Sequence, residues 1–170
     1  DIVTEVDDKF LEAQKIEKGL MTLVDEESQA RISNAINMDN SNKQCGGSAA
    51  NSIIAVSQFG GSSYYSCKVA NDALGEFYKE DLKDNGVDSN LNTEPLEEGI
   101  TGKCLVMTAE DASRTMNTFL GITGDYARSE IKEAALKDSQ YLYIEGYLVT
   151  SENGQDAMKY AKKLAEDNGV

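Results

Sequence analysis

The chain has 170 residues, 40% of them hydrophobic, and a formal net charge of −14 from 30 acidic and 16 basic side chains. That is the composition of a globular protein with one sizeable core, and the excess of negative charge argues against nucleic acid or an anionic membrane surface as a partner. There is no histidine, which excludes a Ser-His-Asp or Cys-His arrangement and a His-ligated metal within these residues.

No apolar run approaches the roughly 18 residues that cross a bilayer, and no signal-peptide pattern is present. Cys45, Cys67 and Cys104 are widely separated and lack metal-ligand spacing, so reduced thiols in a cytoplasmic protein are expected, with no metal site.

In chain order, residues 2–6 alternate like a strand already under way. Residues 8–14 read as a short helix, 20–24 as a strand, and 25–36 as a helix with Asp25 as its cap and Ser28 in the first turn. A short strand at 43–45 leads into Gly46-Gly47-Ser48-Ala49-Ala50-Asn51 and a helix to about residue 59. Two glycines let another molecule approach the backbone closely, and a helix starting there aims unpaired N–H groups at it. The Asn51 amide both donates and accepts, as a hydroxyl-rich ligand requires. A simple strand-to-helix turn capped by Ser48 fits the same letters equally well.

Residues 64–69 form an aromatic-rich strand pattern, 72–85 a helix closed by Asn85-Gly86, and 87–92 an extended segment before the loop with Pro95, the one proline. Residues 101–108 and 115–120 pair as a hairpin around 110–113. A helix is expected over 128–136 and a central strand over 141–148, with Glu145 embedded in it. An unpaired carboxylate is costly to bury, so Glu145 should meet a ligand or a cationic partner. An amphipathic helix over 153–167 places Ala157, Tyr160, Ala161 and Leu164 on one face and stops at Asn168-Gly169. The opening strand and Val170 after the last helix read as the cut ends of a longer protein.

Alternating strands and helices predict an α/β domain with a mostly parallel sheet. The short strands at 2–6, 20–24, 43–45 and 101–120 fit that sheet poorly and read as a small separate one. Ligands of open α/β sheets bind at the carboxyl ends of the strands, where the Gly-Gly turn lies.

With these residues in view, the chain resembles the N-terminal half of a ribokinase-like carbohydrate kinase of the PfkB family, in its adenosine-kinase-like branch. Asp1, the Gly46–Asn51 loop, the run from Lys68 to Gly75 with Gly86-Val87, the pair Thr101-Gly102-Lys103-Cys104 and Arg114-Thr115-Met116-Asn117-Thr118, and the 143–148 segment follow the family's order. Cys67 and Ala70 stand where the family usually has glycine, and its late Gly-Ala-Gly-Asp motif occurs nowhere here.

The resemblance implies a Rossmann-like α/β core with a small β-sheet lid. It also implies ATP with Mg²⁺ as cofactors, held mainly by sequence not included here, which would carry the catalytic base as well. Implied acceptor contacts are Asp1, Gly46, Gly47, Ser48 and Asn51 for hydroxyls, and Met21, Cys104, Met116 and Leu120 as an apolar lid surface. Glu145 reaches the sugar pocket in this reading, and Arg114 is a candidate phosphate contact. The implied partner is a small-molecule sugar or nucleoside, with a homodimer through the lid. A non-catalytic sugar- or nucleoside-binding module and a dimerising α/β domain are the competing readings.

Overall fold

The computed structural model describes residues 1–36 and 41–170. In chain order the elements are β1 (Ile2–Glu5), α1 (Asp8–Gln14), β2 (Met21–Leu23), α2 (Glu26–Ala35), β3 (Asn42–Lys43), α3 (Ser48–Gln58), β4 (Tyr64–Tyr65), α4 (Ala73–Asp84), β5 (Asp88–Ser89), β6 (Lys103–Thr108), β7 (Arg114–Phe119), α5 (Glu133–Lys137) and α6 (Glu152–Asn168). They divide into two compact units: Asp1–Gly46 with Gly102–Gly121, and Gly47–Thr101 with Ile122–Val170. The class is α/β, with a mixed sheet and flanking helices.

The first unit is built on one five-stranded sheet in the order β2-β7-β6-β1-β3. β1 runs parallel to β6 and β2 parallel to β7, while the β6–β7 hairpin and the β1–β3 pair are antiparallel. Side chains alternate between the two faces of a strand, and here the faces differ. Ile2, Leu105 and Met107 pack with Leu11 of α1 and with Ile32 and Ile36 beside them on α2.

Both helices start on an aspartate. Asp7 accepts a hydrogen bond from the Phe10 N–H and Asp25 from the Ser28 N–H, each at 2.8 Å, which satisfies donors that the first helical turn leaves open. The hairpin turns through Ala112 at φ 63°, and Asp111 accepts from the Ser113 N–H. Lys18 bridges Asp111 to Asp8 of α1.

In the second unit, strand pairing is confined to β4 alongside β5 and an isolated bridge between Ala70 and Glu97. The strand expected over 64–69 therefore ends at Tyr65. Beyond it, side chains do the work of a neighbouring strand. Asn90 accepts from the Cys67 N–H and donates to the Cys67 carbonyl, at 2.9 and 2.8 Å. Thr123 donates to the Lys68 carbonyl, and the Thr101 hydroxyl accepts from the Ala70 N–H. Buried backbone groups must be paired, and here loop residues far along the chain pair them.

The same hydroxyl of Thr101 donates to Asp72, whose carboxylate also accepts from the Thr101 and Gly75 N–H groups. Asp72 thus caps α4 and ties residue 101 to its start. A Cβ on Gly75 would overlap the Ala70 carbonyl, so only glycine fits that first turn.

Two further expectations are corrected. The helix expected over 128–136 is broken: a 3₁₀ turn, Arg128–Glu130, gives way to extended backbone at Ile131 and Lys132 before α5 begins. The Glu130 carboxylate accepts from the Ala127 N–H within this turn and from Lys68. The central strand expected over 141–148 is also absent. Tyr141 is 89% exposed, and Gly146–Thr150 is a 3₁₀ turn. An extended apolar segment becomes a strand only with a ladder partner, and this one pairs with none among the described residues.

α6 buries Ala157, Ala161 and Ala165 and ends at Gly169 in the left-handed region. With Leu136 of α5, Ala161 and Ala165 form the core at this end, and Leu164 packs against it.

Replacing Asn90 by alanine orphans a buried donor and a buried acceptor on Cys67, and should lower unfolding free energy by roughly 2–5 kcal/mol in a denaturant titration. Asn90→Asp, which keeps the acceptor but sets a carboxylate oxygen against the buried Cys67 carbonyl, should be at least as destabilising. Burial opposes ionisation of Asp72, but its hydrogen bonds from Thr101 and Gly75 outweigh it and hold the carboxyl below the usual carboxylate range. A depressed folded-state pKa stabilises above the unfolded value, near pH 4, and that contribution is lost as pH falls through the folded value. The stability gap between the native chain and Asp72→Asn should therefore be constant near neutrality and shrink below about pH 4. A gap that widens on acidification would contradict the assignment.

Candidate functional site

The Gly46-Gly47 turn is built differently on its two sides. In the first unit, the Asp1 backbone nitrogen donates to the Gln44 carbonyl, and the Gln44 N–H donates back to the Asp1 carbonyl. This two-way bond continues the β1–β3 pairing by one residue. It sets the Asp1 carboxylate directly against the Gly46 Cα, where any Cβ would collide with it. Gly46 is thus required by packing, and Asp1 is held by backbone geometry.

In the second unit, Gly47 takes the position before α3 with φ 95° and ψ 146°, a conformation that favours glycine. The cap expected at Ser48 is not formed. Ser48 is the first helical residue, no side chain caps the helix, and the first turn carries no acid. The reason is local. Gly47 already occupies the cap position and has no side chain, so the first N–H groups of α3 keep their capacity for an outside acceptor. Asn51 lies one turn in, with its side chain exposed and its backbone N–H bonded to the Gly47 carbonyl at 3.0 Å.

The apolar candidates share one face of the first unit's sheet. Met21 pairs in register with Met116, and Cys104 with Thr118. The two-residue alternation puts Cys104, Met116 and Met21 on the side opposite Leu105 and Met107, away from the core packed by α1 and α2. Leu120, just past β7, is 42% exposed and continues the series of Met116 and Thr118. Arg114 opens β7 in the same series, paired with Thr108 and exposed.

Val3, Leu23 and Thr118 belong to that face as well and are absent from the sequence-derived set. Counting by two from Met116 or Met21 reaches Thr118 and Leu23 directly. Val3 is reached only through the register that places it opposite Val106.

Glu145 is not an acid trapped in a buried strand. It is half-buried at the start of the 146–150 turn and accepts from the Tyr143 hydroxyl at 2.9 Å. That hydrogen bond raises the pKa of the Tyr143 hydroxyl. Among the described residues Cys45, Cys67 and Cys104 form no disulfide. Burial pushes the Cys67 thiol far up, with the Glu130 charge adding to it, so Cys67 is an inert core residue.

Residues 20–170 match the family described as pfkB family carbohydrate kinase. Among solved structures, the chain is similar to the adenosine kinase of Sinorhizobium meliloti, with 32% identity and a TM-score of 0.88, covering 99% of this chain and 51% of that one. A probable sugar kinase of Rhizobium etli CFN 42 has 28% identity and a TM-score of 0.88, with 99% and 50% covered. The adenosine kinase of Trypanosoma brucei brucei, at 22% identity, shares the fold with a TM-score of 0.82 over 99% of this chain and 52% of that one. No curated protein matches the sequence. The chain spans about half the length of these solved relatives. The family match extends over nearly the whole sequence, and the chain belongs to the pfkB family of carbohydrate kinases.

Proposed function

We propose that the chain is the acceptor-binding half of an ATP-dependent cytoplasmic kinase that transfers the γ-phosphoryl group to a hydroxyl of adenosine or another ribose-like or carbohydrate substrate. The observation that carries this is the Asp1 carboxylate fixed against the Gly46 backbone. An acid whose backbone is anchored there has only its side-chain torsions left to order on accepting from vicinal hydroxyls, which lowers the entropic cost of binding. In the second unit, taken by itself, the start of α3 and the exposed Asn51 amide are donors that suit a hydroxyl.

The structure most similar in sequence among those above is an adenosine kinase, and the next is a probable sugar kinase. The common chemistry is a ribose-like polyol, with or without a base. Met21, Cys104, Met116 and Leu120 supply an apolar surface for a base or a sugar face, and Arg114 a guanidinium suited to a phosphate. The five-stranded sheet is the lid in this reading, excluding water that would otherwise compete as phosphoryl acceptor. ATP with Mg²⁺ supplies the transferable phosphoryl group. In this reading the chain's own part is to bind and orient the acceptor.

Thermal-shift and calorimetric titrations with adenosine, ribose and fructose test the reading. At least one should raise the melting temperature, and a chain indifferent to all three overturns it. Asn51→Ala should weaken that ligand by roughly 1–3 kcal/mol while leaving the unliganded melting temperature nearly unchanged, since Asn51 is exposed. Lost stability with intact affinity would make Asn51 a structural residue. Amide exchange over residues 105–120 should slow on ligand addition more than exchange over 51–59, because a ligand shifts a conformational balance only through contacts that differ between its states. Identical hairpin exchange with and without saturating ligand would sink the lid assignment.

A further inference from the structure

We infer that the layer between α2 and β7 encloses an internal hydration site, with at least one long-lived water held by Gln29, Ser33 and Asn117. The inference is independent of the proposed function. α2 presents Gln29, Ile32 and Ser33 on one face, at the i, i+3, i+4 spacing of a buried helical stripe that the buried Ile36 continues just past its end. Two of the four are polar. Ile32 and Ile36 join Ile2 and Leu105 in the first unit's core. Asn117 lies in the same sheet row as those two, in register with Leu105, and α2 contacts β7.

Gln29 is 1% exposed and Asn117 4%. Yet both amide atoms of Gln29, the Ser33 hydroxyl and the Asn117 carbonyl oxygen have no hydrogen-bond partner among the described residues. Thr115, the neighbouring buried polar residue on β7, shows the contrast: its hydroxyl accepts from the Gly19 N–H at 2.9 Å. Buried polar atoms are almost always paired, so four orphans on one helix stripe and the strand it contacts call for a shared ligand.

Their chemistry defines it. The set contains an amide donor, two carbonyl acceptors and a hydroxyl that does either, with no charge. Water, with two donors and two acceptors, complements it and needs only two to four polar partners. An ion would lack a counter-charge, and an apolar occupant would leave every orphan in place. A direct Gln29–Asn117 amide bond would satisfy one donor and one acceptor but strand the Gln29 carbonyl and the Ser33 hydroxyl.

Water-selective NOE and ROE spectra of the chain should show cross-peaks of a long-lived water at the side-chain amide protons of Gln29. Gln29→Met and Asn117→Leu should each lower the melting temperature by roughly 2–6 °C, and the double variant by clearly less than the sum, because the second substitution removes an atom already deprived of its water. Ser33→Ala, a smaller change, should lower it less and weaken the water cross-peaks, and it keeps the test open should a larger variant not fold. Amide protons that show contacts only to each other indicate the direct bond and overturn the inference. Strictly additive melting shifts overturn it too.

Discussion

The register of β6 against β1 and β7 is the constraint on which the first unit depends. β6 is flanked on both sides, and its alternation puts Leu105 and Met107 under the two helices while Cys104 takes the other face. A slip of one residue would exchange the two sets, exposing the core side chains and burying Cys104 and Thr108 in their place. Every candidate on the apolar face inherits its position from this register, because Met116 and Met21 are placed through β7 and β2 in turn. Parallel and antiparallel pairs in one sheet are therefore a means of bringing residues near 3, 21, 104 and 116 onto one surface.

The second unit is stabilised by a different principle. Much of its backbone between residues 66 and 71 lies outside regular ladders, and polar side chains complete it. The Lys68–Glu130 pair is central. Both side chains are largely buried, at 11% and 7% exposure. Burial alone would lower the Lys68 pKa, but its bonds to Glu97 and Glu130 raise it instead, which keeps the charge in place. Glu130 in turn accepts from the Ser129 hydroxyl and the Ala127 N–H. Removing one partner of such a pair strands the other charge and costs about 3–5 kcal/mol, far more than an exposed pair contributes. The exposed i,i+4 pair of Lys163 with Asp167 on α6 belongs to the latter kind.

The chain belongs to the pfkB family, and the Gly46-Gly47 dipeptide is built differently on its two sides. On one side of that dipeptide a carboxylate is held against glycine by main-chain bonds, and on the other a helix begins without a cap. The two features are opposite in character, one an acceptor and the other a set of donors. They also explain why neither glycine is replaceable: the first by contact with Asp1, the second by its backbone angles.

Local signals alone determined much of this protein. Asp7, Asp25 and Asp72 cap their helices as short-range side-chain chemistry requires, and the glycine stop after α6 follows from the left-handed conformation at Gly169. The β6–β7 hairpin and the Gly-Gly turn were legible for the same reason, since their periodicity and turn residues lie within a few positions of one another. Only the tertiary structure decided what depends on distant partners. Residues 141–148 have the composition of a strand but no ladder among the described residues, and 66–69 found Asn90 and Thr123 in place of a strand. The helix expected over 128–136 is broken, and Glu130 within it pairs with Lys68, 62 positions earlier. Val3 entered the apolar face through pairing with β6, about a hundred residues downstream. A hydrogen-bond partner or a sheet register is a property of two segments, and one segment's letters specify only half of it.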